Sequence, residues 1–448
     1  MPRQPARRAA GATAAAAPAG PGVRAWASAL IRTPMVRDCW RALWISRALV
    51  WASGVAGLLL LGRSARWPGF DPGRLTVPFG AVGDALVAPA ARWDSVWYLS
   101  IAGGGYREEA QTAFFPLYPG LVGLLGAPLG VLAGPQGGRL LAGIAISLVA
   151  MFAGLCLVHR LAELELGGGP ARLTVLLVAL FPTAFVLSAV YTESLFLALS
   201  AGTLYAGRRG RWAWAGALGA LAAATRSTGA LLVVPLALLY LLGPRGDAVR
   251  ERDRDGRRRL HRVRPDAAFL LAVPAGTGAY LAFLAVATGD ALDPFQVGDL
   301  WYREFAGPLG GVWDGAVAAW AGARQLLSGS REPAYFAPAG GDPFDVAAHN
   351  AANFAFLAFA AVAVVGTLRR LPVAYGAWVL VALALPLSYP TGPEPLASIP
   401  RYLVVLFPLH MWLAAWSLEH RRVRPVLGVC AVTLALLSAQ FAAWEWVG

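Results

Sequence analysis

The sequence predicts an all-α polytopic membrane protein, a bundle of about eleven transmembrane helices with amphipathic helices outside the bilayer. Three observations carry that prediction. The 448-residue chain is 57% hydrophobic and only 14% charged, with a mean hydropathy of +0.56, too apolar for a soluble domain over most of its length. Its apolar runs recur at roughly 17 to 25 residues, the length at which a helix spans a hydrocarbon core. Its net charge of +13 comes from arginine alone, with no lysine, and the arginines fall mostly at the ends of the apolar runs, where the positive-inside rule puts them.

Taken in order, residues 1–38 are low-complexity Ala, Pro, Gly and Arg without an apolar h-region, and read as a disordered basic cytoplasmic arm. Residues 39–448 form the membrane domain. A first span is expected at 42–62. The arginines before it, from Arg3 to Arg41, hold the N-terminus inside and put 63–113 outside as a first external loop. Further runs lie at 114–134, 139–160, 171–188, 190–206, 212–225, 227–243, 266–288, 347–368, 371–388, 400–419 and 425–446. Basic clusters at 207–211, 369–370 and 420–424, and a basic cytoplasmic loop at 244–265, fix the inside face. Counting crossings between them leaves one segment too many. Either 114–134, with Pro116, Pro119 and Pro128, is re-entrant, or 171–206 is one interrupted crossing. A second large external loop covers 289–346, where Trp301, Tyr302, Phe305 and Trp313 suggest an amphipathic helix at the headgroup level.

The residue inventory excludes several chemistries. Without lysine there is neither a Walker A loop nor a Schiff-base amine. HExxH and GxSxG are absent, and Cys39, Cys156 and Cys430 lie far apart, as small buried apolar residues do. Nucleic-acid binding does not fit arginines confined to span ends.

What remains is an acid cluster and a few charges in apolar surroundings. In RWDSVWYLSIA the apolar residues Trp93, Val96, Trp97 and Ile101 repeat at helical spacing, with Asp94 at the N-terminal turn of a short interfacial helix. Complementing the helix dipole would be one use for this acid, and acting as a general base the other. Glu108 and Glu109, beside Arg107, read either as a solvated charge cluster or as groups that orient an acceptor or hold a cation, with Tyr106 and Tyr118 flanking them. Glu193 follows Tyr191 and Thr192 in a nearly charge-free stretch, and Arg226 is the only charge between Trp212 and Arg245. Arg226 either pairs with Glu193 or Asp94, or grips a phosphate with its guanidinium fork. Arg401, next to Tyr402 at the outer start of a span, has the same two options, with snorkelling as its plainer use. His349, with Asn350 and Asn353, is the one histidine kept as a site candidate.

The stretches RWDSVWYLSIAGGGY, AFFPLYPGL, FPTAFVLSAVYTESLF, ATRSTGALL and PRYLVVLFPL resemble, in that order, the motifs of bacterial relatives of the mannosyltransferase that adds the second mannose in glycosylphosphatidylinositol assembly. The likeness runs over roughly residues 40–420 and implies a GT-C-like bundle. It further implies a polyprenyl-phosphate sugar, usually mannose, as donor and a lipid or glycan hydroxyl as acceptor. On this chain it implies Asp94 as base or acceptor-orienting acid, supported by Glu193, Arg226 and Arg401. Eukaryotic members carry His two positions after this WDS motif, where this chain has Trp97. The Ala, Gly and Arg bias adds a GC-rich bacterial source, hence a multi-pass protein of the bacterial plasma membrane with an extracytoplasmic active site. No cofactor is implied, and a divalent cation stays open. A lipid or solute transporter, a non-catalytic assembly subunit and a protein O-mannosyltransferase-like enzyme are the rival readings.

Overall fold

The computed structural model describes residues 33–64, 67–245, 260–332, 335, 342–445 and 447. Of the arm expected over 1–38, residues 1–32 lie outside the described residues, as do 246–259 of the basic loop. Residues 34–38 already belong to the first helix, α1 (Pro34–Leu61). Thr33 caps it by accepting a hydrogen bond from the Val36 N–H at 3.4 Å, and Pro34 opens it with a φ preset for a helix.

The expected external segment is a chain of short pieces: α2 (Trp67–Phe70), α3 (Gly80–Val87) and α4 (Ser95–Gly104), joined by 3-10 turns at Ala88–Ala90 and Glu109–Ala113. The long element α5 (Leu117–Leu166) reverses at Gly134, whose φ of 72° and ψ of 159° are not helical. The two limbs pack so closely that a Cβ on Gly138 would sit 2.3 Å from the backbone nitrogen of Gly130. The 114–134 run is thus one limb of a helical hairpin. After α6 (Gly168–Leu180) the chain breaks at Phe181 and Pro182, passes a 3-10 turn at Ala184–Leu187, and resumes as α7 (Glu193–Arg208). Residues 171–206 are therefore interrupted just where Glu193 begins a helix.

The remaining helices are α8 (Trp212–Ala223), α9 (Val233–Leu242), α10 (Ala272–Ala287), α11 (Asp293–Gln296), α12 (Gly310–Ser328), α13 (Pro343–Arg370), α14 (Val373–Ser388), α15 (Ile399–Val405), α16 (Phe407–Glu419) and α17 (Val423–Ala442). Among the described residues five helical segments are long and apolar enough to cross a membrane: α1, α5, Pro265–Ala287, α13 and α17. The pair α15 and α16, bent by 76°, would be a sixth. These segments make a multi-pass, all-helical membrane protein. The count of about eleven is not reproduced, because α6, α8, the Ser227–Leu242 stretch and α14 are 10–17 residues long. Hydropathy registers a greasy run but not the proline or extended residue that stops a helix inside it.

The amphipathic helix of the second external segment also lies later than its aromatic residues suggest. Val297–Trp301 is a 3-10 turn and Tyr302 is left-handed at φ 54°, so after the four-residue α11 no α-helix forms before Gly310. It is α12 that is two-faced. Gly311, Gly315, Ala318 and Gly322 pack inward, whereas Leu309 just before it, Trp313, Trp320 and Leu327 are exposed.

Ion pairs mark the two ends of the bundle. At one end Arg208, closing α7, donates to Glu165 near the end of α5 at 2.6 Å, and the Tyr375 hydroxyl at the start of α14 donates to the same oxygen at 3.2 Å. Arg370, five residues before Tyr375, pairs with Glu419. The opposite end of α7, roughly 24 Å away at 1.5 Å per residue, carries Glu193.

Candidate active site

The turn that presents Asp94 is built by tryptophans. Trp93 is left-handed at φ 52°, a conformation that a bulky residue adopts only when its surroundings enforce it. Its indole is buried edge-on against Phe70 at 4.8 Å, tilted against Trp444 at 5.6 Å, and donates to the Glu445 carbonyl at 3.2 Å. Asp94 then stands at the N-cap of α4, but its side chain caps nothing. At this helix N-terminus it also forms an ion pair: Arg401 Nη1 lies 2.5 Å from Asp94 Oδ2. Oδ1 accepts no hydrogen bond from the described residues, and the side chain is 20% exposed.

Arg401 enters from the far end of the sequence by a similar device. Ser398, left-handed at φ 68°, and Pro400 start α15 and aim the guanidinium into the cluster. Its Nε lies 3.3 Å from Glu193 Oε1, in Coulombic contact without hydrogen-bond geometry. Arg226 follows the end of α8 in extended backbone, φ −155°, and donates to the same Oε1 at 2.6 Å. Glu193 is 1% exposed and thus holds two guanidinium groups with one oxygen, while Oε2 has no partner among the described residues. The Tyr402 ring lies under both cations, 5.1 Å from Arg226 Cζ and 5.9 Å from Arg401 Cζ.

Three hydroxyls not singled out in the sequence complete the cluster. Tyr191 accepts from the Asp94 N–H at 3.2 Å, and its ring faces Arg401 at 5.5 Å. Thr192 does not cap α7 through its side chain but accepts from Arg226 Nη1 at 3.4 Å. Tyr98 shares a 3.3 Å hydrogen bond with Thr192. Burial pushes the Tyr98 phenol above its ordinary value, and the carboxylates of Glu193 and Asp94 add to that, so it stays a neutral donor. The signals were there: Tyr98 is one helical turn after Asp94, and Tyr191 and Thr192 abut Glu193.

Asp94, Glu193, Arg226, Arg401 and Tyr402 therefore meet in one place. Of the other candidates, Trp93 shapes the turn and lines a cavity with Tyr191 and Arg401, while Trp97 stacks on Phe114 at 5.7 Å. Tyr106 donates to the Phe114 carbonyl at 2.6 Å, and the fully buried Tyr118 to the Gly143 carbonyl at 3.0 Å. Glu108 makes a capping box with Gln111, and both it and Glu109 are exposed. His349 bonds Glu394 at 3.0 Å and Asn350 the Pro393 carbonyl at 3.2 Å, supporting the loop before α15. Among the described residues no group of three or more His, Cys, Asp or Glu side chains converges as metal ligands.

Residues 79–241 match the family model described as Mannosyltransferase (PIG-V). The chain is similar to GPI alpha-1,6-mannosyltransferase 2 of Rattus norvegicus, 37% identical over 175 residues, 37% of this chain and 35% of the relative. The Mus musculus protein of the same description is 36% identical over 171 residues, 36% of this chain and 34% of its own. The match thus spans about a third of these relatives' length. Among solved structures the chain is similar to the apo oligosaccharyltransferase of Archaeoglobus fulgidus, with a TM-score of 0.44 and 13% identity over 92% of this chain and 56% of that one. An archaeal oligosaccharyltransferase from the same organism, in complex with an inhibitory peptide and a dolichol-phosphate, gives a TM-score of 0.41 and 12% identity, covering 90% and 56%. The stretch matched by the family model, residues 79–241, holds Asp94, Glu193 and Arg226.

Proposed function

We propose that this protein is a membrane glycosyltransferase that moves a mannosyl group from a polyprenyl-phosphate donor to an acceptor hydroxyl of a lipid or glycan, at the extracytoplasmic face of a bacterial plasma membrane. One observation carries the reading: a carboxylate with an unengaged oxygen, Asp94, stands beside two guanidinium groups held by a single buried Glu193. Hydroxyl attack on a sugar phosphate needs a base at one end and cations at the other.

Asp94 Oδ1 takes the proton of the acceptor hydroxyl as its oxygen bonds to the anomeric carbon. The bond from that carbon to the phosphate oxygen breaks, and its electron pair leaves with the polyprenyl phosphate. Arg401 and Arg226 offset the developing charge, so no general acid is required. Attack from the face opposite the phosphate inverts the anomeric centre through an oxocarbenium-like transition state, as in inverting glycoside hydrolysis. A divalent cation would find two carboxylates here, Asp94 and Glu193, both engaged by guanidinium groups, and no step of this route requires one. The cluster sits at the end of α7 rather than at its middle, which favours an enzyme over a transporter with a midplane site.

Membranes containing wild type or Asp94→Asn, given labelled polyprenyl-phosphate mannose, test the reading. Label should move from donor to acceptor with wild type, and the variant should be slower by about 10²- to 10⁴-fold, the usual weight of a general base. A folded wild type that transfers nothing, or an Asn variant as fast as wild type, overturns it.

A further inference from the structure

At rest the cluster has no charge to spare. Two guanidinium groups face two carboxylates, Asp94 and Glu193, and cancel them. The leaving group needs more. A sugar linked to a lipid phosphate is a diester with one negative charge, and the monoester released carries about −1.5 to −2 at neutral pH, as phosphomonoesters do. Once Asp94 has taken the acceptor proton, Arg401 and Arg226 face only Glu193 and leave one net positive charge, less than the phosphate carries, so a further cation would aid the departure.

We propose that Arg303 is that cation, a third phosphate-binding guanidinium that reaches the cluster from the second external segment. The inference rests on the reading that the substrate is a lipid-linked phosphate.

Three observations support Arg303. Among the described residues it has no carboxylate within 4.0 Å; its guanidinium donates only to the Tyr389 carbonyl, at 3.2 Å. Its neighbour Glu304 is exposed. Two positions before Arg303, Trp301 meets the Phe114 ring edge-on at 6.4 Å, and Phe114 in turn meets Tyr98 of the cluster at 5.2 Å, so this segment packs against the site.

The backbone around Arg303 is also built to present it. Tyr302 is left-handed at φ 54°, and Arg303 pairs with Thr391 in an isolated antiparallel bridge. The Gly392 N–H donates to the Tyr302 carbonyl at 2.9 Å, and the Ala306 N–H to the Ser388 carbonyl at 2.9 Å. The bridge ties Arg303 to the loop that ends in Ser398 and Arg401. Six described residues other than glycine have positive φ. Three of them, Trp93, Tyr302 and Ser398, stand one to three positions before Asp94, Arg303 and Arg401. Strained backbone of this kind gathers where a structure must hold a functional side chain.

The test uses the full-length protein in detergent and a sugar-free short-chain polyprenyl monophosphate as probe, with the matching polyprenol as the uncharged control. Arg303→Gln should weaken binding of the monophosphate by about 10- to 100-fold, the loss of one charge-assisted contact, and leave polyprenol binding unchanged. Arg303→Lys should recover part of it, and the thermal unfolding midpoint of both variants should match wild type. Equal weakening for monophosphate and polyprenol, or none for either, overturns the assignment while leaving the transferase reading intact. Failure of wild type itself to bind the monophosphate sinks the donor class and this inference together, a result Arg303→Gln alone could not produce.

Discussion

Glu193 is the residue on which the cluster's geometry depends. A carboxylate 1% exposed would be unstable alone, and two guanidinium groups at 2.6 and 3.3 Å keep it in place. The dependence is mutual. Without Glu193, Arg226 loses its only carboxylate within reach among the described residues, and Arg401 keeps Asp94 alone of those residues. Glu193→Gln preserves shape and removes the charge, leaving a half-buried cation uncompensated. It should lower stability by about 3 to 5 kcal/mol, the loss found when one partner of a buried pair is removed. A thermal melt in detergent would register this as a clear fall in midpoint, whereas Asp94→Asn, at a more exposed pair, should melt close to wild type. An unchanged midpoint for Glu193→Gln would mean that water already compensates the pair.

At the scale of elements, the turns do more than the helices to make the site. Trp93 opposes two effects. Its left-handed backbone costs roughly 1 to 2 kcal/mol for any residue with a Cβ, while its buried indole stabilises by roughly 3 to 5 kcal/mol relative to alanine. Packing wins, so both truncations should destabilise. Trp93→Gly, which releases the strain, should nevertheless be more stable than Trp93→Ala by about 1 kcal/mol, the reverse of the usual order for these residues. Denaturant or thermal unfolding of the two variants side by side checks the order. These turns also explain which features the sequence discloses. Asp94, Glu193, Arg226 and Arg401 stand out as charges in apolar runs, because burying a charge is tolerated only for a reason. Their pairing does not stand out, since Asp94 and Arg401 are 307 positions apart and meet through two left-handed residues that no periodicity reveals. Glu108 and Glu109 attract notice by the same rule yet stay exposed, because a loop beside Arg107 supplies them with water. The number of crossings is overread for a related reason: the hydropathy run at 171–188 continues through Pro182, past the end of α6 at Leu180.

For the molecule as a whole, the placing of charge at the two ends of the bundle decides whether the proposed chemistry has access to its substrates. Asp94, the start of α7, Arg226 and Arg401 share one end. The end of α7 with Glu165 and Tyr375, and the Arg370–Glu419 pair next to the 420–424 arginines, mark the other. If arginine-rich ends face the cytoplasm, the acid cluster faces outward, where a lipid-linked donor and an envelope acceptor would meet it. Single cysteines test this directly once Cys39, Cys156 and Cys430 are replaced. Glu108→Cys lies on the exposed first segment beside the cluster, and Arg421→Cys just beyond Glu419. A membrane-impermeant maleimide added to intact cells stripped of their outer barrier should label position 108 and not 421, and permeabilisation should then expose 421. The opposite pattern would put Asp94 in the cytoplasm, out of reach of an extracytoplasmic donor. Labelling of both positions in intact cells would mean that the arginine-rich end does not set the inside face.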